Sequence, residues 1–564
     1  MPEIQSNGIV KLEQFLLTRL RQSHPGWKIG ILFIICFFSF FVHIGRMEVD
    51  LMEARNFVTA REMVQTNQWW IPTMNGEIRI AKPPLPTWLT AAAMLLAGKS
   101  DNPTILRLPA ALMGTLFVLS MWGFIGTLTE DTLLPFICAA ILATSLIVID
   151  MSRRGHWDIY GHSFMLCAIW ILFKGLKNQQ GDSFGIFIFA GVLLAASFLS
   201  KGPVPFYALL LPFSCAYFIA FGMGEFKQHW RGLAICLSVF MIISAIWPLS
   251  VLLSLNSIAV NTAKGETAAW VSRHVQPFYF YGHFILYAGI WALVVLVGLI
   301  PRFAAKRVNR LGKYTFIVSW LLLSIFLLSI IPEKKERYLL PAAVPMAVLA
   351  GYLVYALIIE RSNKIGDCDS VWLPRVVFGL AIIAAIVAPI VRLRVDLASG
   401  QLNPLAIAVW WGIFWALVGF SLVALRQKTY FSLFLMIVIL ACLLNMTLIP
   451  SLSRSTLFIK NPSYKSLATI RTHAELTGVP LYTTKPINMK YIFKTGKRVD
   501  PWGSIVNNLE KQQFPIAILT GPDTKAPIPK HLRPRIRMRT LQCIRYDPMD
   551  ERQIICVVLL AGLL

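Results

Sequence analysis

From Lys28 onward the chain runs in long uncharged apolar stretches separated by short polar connections. This is neither the period-two alternation of half-buried strands nor the one-sided stripe of a surface helix. Most of the stretches are about 18 to 22 residues long, enough to cross a hydrocarbon core about 30 Å thick as a helix. The stretches predict spans at 28–43, 105–127, 132–151, 161–175, 184–200, 204–222, 232–254, 280–301, 315–331, 339–359, 374–392, 404–425 and 429–450, about thirteen in all. The apolar run 88–97 is too short to cross, and the Lys82-Pro83-Pro84-Leu85-Pro86 before it points to a helix lying in the interface. Within residues 1–27, Val10, Leu12, Phe15, Leu16 and Leu20 interleave with Lys11, Arg19 and Arg21, as in an amphipathic helix on the cytoplasmic surface. The first span ends in Phe40, Phe41 and His43 rather than the small residues of a signal-peptidase site, so it reads as retained.

Beyond Ser451 the apolar runs shorten and the pattern becomes that of a soluble domain. Asn461-Pro462 can cap a helix running to Gly478, 479–484 reads as a strand, Asp500-Pro501 opens another helix, and 514–520 and 554–564 read as buried strands. The expected architecture is an all-α polytopic membrane bundle, residues 28–451, with an outer loop of interfacial helices at 48–104. A small α/β soluble domain follows at 452–564.

Composition supports a membrane protein: of 564 residues, 56% are apolar or aromatic and 14% charged. Lys and Arg outnumber Asp and Glu by 53 to 28, a formal charge of +25. Such an excess fits positive-inside topology and anionic headgroups, or a phosphate-bearing substrate. With the basic N-terminus inside, the parity of the spans puts Arg302, Lys306, Arg307, Arg310 and Lys313 in the cytoplasm. The same parity puts the loops 48–81, 152–160, 201–203, 255–279 and 332–338, and everything after 451, on the outer face. Seven of the nine cysteines lie in or beside apolar runs and read as packing residues, while Cys543 and Cys556 can pair if the tail meets an oxidising compartment. The sequence contains no phosphate-loop, dinucleotide or zinc-protease motif, and nothing points to nucleic acid. No cofactor is implied, and a divalent metal is left open. The lack of an internal repeat weakens a transporter built from duplicated halves.

Several polar residues at the outer face could carry chemistry. If the first outer loop is helical, Asp50 and Glu53 share a face and can act as general base or orient a donor; the alternative is that they cap the next helix. Asp158 opens an apolar span in Arg153-Arg154-Gly155-His156-Trp157-Asp158, where a carboxylate is costly unless paired or facing a watery cavity. Pairing with Arg153 or Arg154 is the alternative. Lys201 ends a span before Gly202-Pro203, and Lys334, Lys335 and Arg337 stand between two spans, on the face where cations are disfavoured unless they hold a phosphate.

Taken together these residues resemble the bacterial lipid-linked-sugar glycosyltransferases of the C-type superfamily, most nearly the aminoarabinose transferases of lipid A and more distantly the protein O-mannosyltransferases. The first outer loop carries the likeness most specifically, through Glu53-Ala54-Arg55, Ala60-Arg61-Glu62-Met63, Trp69, Pro72, Asn75-Gly76 and Lys82-Pro83-Pro84-Leu85. It continues weakly through Asp158, Lys201-Gly202-Pro203, Gln276-Pro277-Phe278-Tyr279 and Arg337-Tyr338-Leu339-Leu340-Pro341. Two positions depart from the family pattern: Met52 stands where an acid usually precedes Glu-Ala-Arg, and Ala81 where Glu usually precedes Lys-Pro-Pro. The resemblance implies a multi-pass enzyme of a bacterial inner membrane that takes a sugar from a polyprenyl-phosphate donor to a lipid A-like, glycan or protein acceptor, among membrane lipids. It assigns Lys82, Lys201, Lys335 and Arg337 to the donor phosphate, and Asp50, Glu53 and Asp158 to the acceptor or its proton. Arg55, Arg154 and His156 are further candidates. A transporter or flippase for an amphipathic lipid is the competing reading.

Overall fold

The computed structural model describes residues 2–178, 183–362, 404–454, 464–522 and 528–563, apart from residues 530, 531, 548, 549 and 551, with isolated positions between 376 and 394. Among the described residues, eight helices are long and apolar enough to cross a membrane, and a bent pair makes up to nine. Shorter apolar helices occupy three more of the expected positions, at Phe206–Phe221, Tyr314–Ile330 and Tyr430–Met446. The expected span at 374–392 lies outside the described residues. The helix Leu85–Leu96 lies where an interfacial segment was expected, and its length of 12 residues is too short to cross.

One expected span, 132–151, is broken. Leu134–Ala143 and Leu146–Arg153 meet at a bend of 60°. At the break the Thr144 hydroxyl donates to the Ala140 carbonyl and the Ser145 hydroxyl to the Ile141 carbonyl, while the Trp291 indole N–H donates to Thr144 Oγ1. Side chains thus satisfy the groups that a bend releases. The loop 255–279 also differs from expectation: it contains the helix Asn256–Ser272, which buries none of its residues.

A short antiparallel hairpin, β1 (Thr73–Met74) and β2 (Glu77–Ile78), turns at Asn75-Gly76, where both residues have positive φ. The C-terminal unit is a five-stranded sheet of β3 (Leu481–Thr483), β4 (Val499–Pro501), β5 (Ile516–Thr520), β6 (Ile536–Arg545) and β7 (Ile554–Leu563), in the order β4-β3-β5-β7-β6. β3 runs parallel to β4 and β5, and β7 antiparallel to β5 and β6. Cys543 and Cys556 face each other across β6 and β7 and are joined in a disulfide.

Two helices expected in this unit are replaced. The segment toward Gly478 holds only the single turn Thr469–Thr472 and a 3-10 turn, because Tyr464 and Lys465 pair with Arg545 at the sheet. Asp500-Pro501 ends the edge strand β4, which the Asn75 side-chain amide holds through both the N–H and the carbonyl of Val499, and opens two short 3-10 turns, Trp502–Ser504 with Pro501 at its N-cap and Val506–Lys511, in place of one longer helix. These bonds seat the sheet on the first outer loop. Phe493 packs on Phe57 with ring centroids 5.5 Å apart, and Lys494 Nζ lies 2.6 Å from Glu48 Oε1.

Candidate active site

The loop after the first span folds as the helix Leu51–Thr66, with Asp50 at its N-cap. Asp50 Oδ1 accepts from the backbone N–H groups of Met52 and Glu53 at 2.7 and 2.9 Å, and Glu53 returns the bond to Asp50 N–H, closing a capping box. Asp50 Oδ2 accepts from Arg154 Nη1 at 3.1 Å and lies 2.7 Å from His156 Nε2. Burial pushes this carboxyl up, yet the His156 hydrogen bond and charge, the Glu53 N–H and Arg154 hold it well below the usual carboxylate range.

Glu53 does not face a cavity. It is fully buried with Arg107, whose guanidinium donates to Oε1 at 2.6 Å and Oε2 at 2.8 Å, and Gly155 N–H adds a bond to Oε1 at 2.9 Å. Arg107 also holds the carbonyls of Ile44 and Met47. The pair ties the end of the first span to the outer-loop helix, and the capping alternative describes both acids.

Asp158 is not bound by Arg153 or Arg154. Arg153 donates to the carbonyls of Ser39 and Val42, and Arg154 to Asp150 and Asp50. Instead Asp158 Oδ1 lies 2.5 Å from Lys201 Nζ, and Oδ2 3.6 Å from Arg337 Nε. Lys201, Lys335 and Arg337 all approach the Tyr338 ring, at 5.6, 5.8 and 5.3 Å from its centroid. The break at Gly202, whose φ of +66° suits glycine, ends the helix at Lys201 and leaves its ammonium at this convergence. Lys335 is bound by Glu333 at 2.6 Å; burial and the neighbouring Arg337 nonetheless lower its pKa from the ordinary lysine value. Lys82 lies farther along the first loop and is paired with Glu266 at 2.8 Å, and Arg273 bridges Glu266 and Glu333. Arg55 is half-buried, and burial with Arg273 and Arg337 nearby lowers its pKa.

These groups border a cavity of about 630 Å³ lined by Asp50, Asp150, Arg154, His156, Lys335, Glu336 and Arg337, with Phe280, Tyr287 and the apolar face of the bent helix. Of the expected residues, the fold brings Asp50, Arg154, His156, Lys335 and Arg337 to the cavity wall. Lys201 and Asp158 do not line it but connect to its wall through the contact of Asp158 with Arg337, and Lys82, Arg55 and Glu53 do not line it either. Sequence reasoning missed Asp150, Tyr287 and Glu336. Asp150 carried a usable signal, because it is an acid near the end of an apolar run, the same feature that singled out Asp158. Among the described residues, no three His, Cys, Asp or Glu side chains are grouped to hold a metal ion.

Residues 81–247 match the family described as dolichyl-phosphate-mannose-protein mannosyltransferase. Similar proteins include the undecaprenyl phosphate-alpha-4-amino-4-deoxy-L-arabinose arabinosyl transferase of Edwardsiella ictaluri, 24% identical over 351 residues, which are 58% of this chain and 59% of that protein. A transferase of the same description from Proteus mirabilis is 22% identical over 417 residues, 72% of this chain and 73% of that one. The likeness therefore spans under two thirds of the Edwardsiella protein. Among solved structures, ArnT from Cupriavidus metallidurans bound to undecaprenyl phosphate superposes with a TM-score of 0.67 at 17% identity, covering 95% of this chain and 98% of that one.

Proposed function

We propose that this chain, whose bundle has the fold of the C-type lipid-linked-sugar glycosyltransferases, moves a sugar from a polyprenyl-phosphate carrier to a lipid A-like, glycan or protein acceptor. The likeness to undecaprenyl-phosphate aminoarabinose transferases supports the donor class. In this reading the chain has about thirteen spans, and the cavity and the C-terminal unit face the periplasm of a bacterial inner membrane; the basic helix Pro301–Val308, expected inside, supports that orientation.

The observation that carries the reading is the convergence of Lys201, Lys335 and Arg337 on Tyr338 at the cavity edge. A carrier phosphate there gains negative charge as the bond from its oxygen to the anomeric carbon breaks. Fixed cations stabilise that charge most in the transition state. Asp158 keeps Lys201 and Arg337 aimed while the donor is absent, and Lys82, near Lys201, and Arg55, near Arg337, add positive charge around them. The acceptor oxygen attacks the anomeric carbon from the side opposite the phosphate, which inverts its configuration. Asp50 holds Arg154 and His156 in the wall, and Glu53 fixes the helix that presents Asp50.

Purified protein incubated with a polyprenyl-phosphate sugar and envelope lipids tests the reading. Release of free polyprenyl phosphate, matched by sugar in the acceptor fraction and lost in Arg337→Ala, is expected. Movement of intact donor across a vesicle without bond cleavage would identify a transporter instead.

A further inference from the structure

Two aspartates face the cavity, and their oxygens are differently occupied. A carboxylate has about four lone-pair sites. All four of Asp50's are taken: two by the backbone N–H groups of its own helix, one by Arg154 and one by His156. Asp50 has no site left for a substrate proton. Asp150 accepts from Arg154 Nε through Oδ1 at 2.7 Å, and no other partner is seen for it among the described residues. Its side chain is 39% exposed and lines the cavity.

The arrangement is a relay of orientation. Asp50 holds Arg154 Nη1, Arg154 Nε holds one oxygen of Asp150, and the second oxygen of Asp150 is left free. The bend at Thr144-Ser145 turns the Leu146–Arg153 helix so that Leu146, Ile147, Asp150 and Met151 form one side of the cavity. Glu336, the third acid there, is exposed and engaged with the Tyr287 hydroxyl.

We infer that Asp150 is the general base of the transfer and that the acceptor is a neutral hydroxyl rather than a phosphate; this rests on the glycosyltransferase reading above. The acceptor O–H gives its proton to Asp150 Oδ2 as its oxygen bonds to the anomeric carbon. The bond from that carbon to the carrier phosphate breaks, and the phosphate leaves with the electron pair. Charge on the wall favours the same acceptor class. Each basic side chain of the wall already has an acid partner, Arg154 in Asp50 and Asp150, His156 in Asp50, Lys335 in Glu333 and Arg337 in Asp158, so once the donor phosphate is bound none is left over for a second one.

The full-length protein in lipid nanodiscs, given a polyprenyl-phosphate sugar and envelope lipids, provides the test. Asp150→Asn is expected to lower kcat for carrier release about a hundredfold or more while the donor KM stays within about twofold. Stabilisation of the variant by added polyprenyl phosphate in a melting assay shows that it is folded and binds the carrier. The product bond is expected to survive mild acid that cleaves glycosyl phosphates. An Asp150→Asn variant with near-native kcat, or an acid-labile product, overturns the inference and leaves the transferase reading standing. Absence of carrier release by the native protein overturns both.

Discussion

Lys201 Nζ lies 2.5 Å from Asp158 Oδ1, with only 8% and 2% of the two side chains exposed. An ion pair this deep in a membrane bundle is stabilising only while both charges are present, because removing one leaves the other desolvated and unpaired. Asp158→Asn is therefore expected to cost roughly 3–5 kcal/mol, read as a lowered melting temperature in detergent. Lys201→Met added to Asp158→Asn should recover part of that loss. Additive losses in the double variant would show that the two side chains do not depend on each other.

Glu53 and Arg107 form a second fully buried pair. Glu53→Gln keeps the shape but loses the charge, so it should reduce the amount of monodisperse protein rather than slow turnover per folded molecule. A variant that is folded and abundant yet inactive would return Glu53 to the chemistry.

The contact between the C-terminal unit and the first loop should depend on pH. Burial raises the Glu48 carboxyl, but the charge and hydrogen bond of Lys494, with Lys490, bring it below its ordinary value. Burial lowers Lys494, but Glu48 and Tyr464 raise it above the ordinary lysine value. A depressed carboxylate stabilises above its unfolded pKa and loses that contribution as pH falls through the folded value. A raised lysine stabilises below its unfolded pKa and loses its contribution as pH rises through the folded value. The protection of the Leu51–Thr66 helix against hydrogen exchange, relative to the intrinsic rate at each pH, should therefore be greatest from just above the ordinary carboxylate range to just below the ordinary lysine range. Protection should fall on both sides, and the Lys494→Met variant should lose the dependence at high pH and keep only a weaker one at low pH, where Lys490 still faces Glu48.

Asn75 tests the same seat without charge. Asn75→Ala removes both bonds to Val499 and is expected to cost about 1–3 kcal/mol of docking, seen as faster exchange in β4 and the Leu51–Thr66 helix together. Faster exchange in β4 alone would mean that the sheet does not brace the loop.

The spans were legible because their length is set by the membrane, a constraint written in the sequence itself. Lys201, Lys335 and Arg337 stood out because cations on the face expected to be outer need a reason to be there, and the fold gathers them around Tyr338. Their partners did not stand out. Asp158 was weighed against its neighbours Arg153 and Arg154, yet its cations come from helices that only the folded bundle brings close. Arg107 was passed over because its acid, Glu53, stands in another loop. The strand β6 was missed since Arg537 and Arg539 alternate with Met538 and stay exposed at a sheet edge, without the apolar pattern of a buried strand. The helix Met489–Thr495 is too short for periodicity to reveal.

The most direct measurement is the rate at which purified protein releases polyprenyl phosphate from a polyprenyl-phosphate sugar, compared between the native chain and Arg337→Ala. A donor-dependent release that falls about a hundredfold or more in the variant is expected. Equal release by both proteins, or none by the native chain, would contradict a phosphate held where Lys201, Lys335 and Arg337 meet.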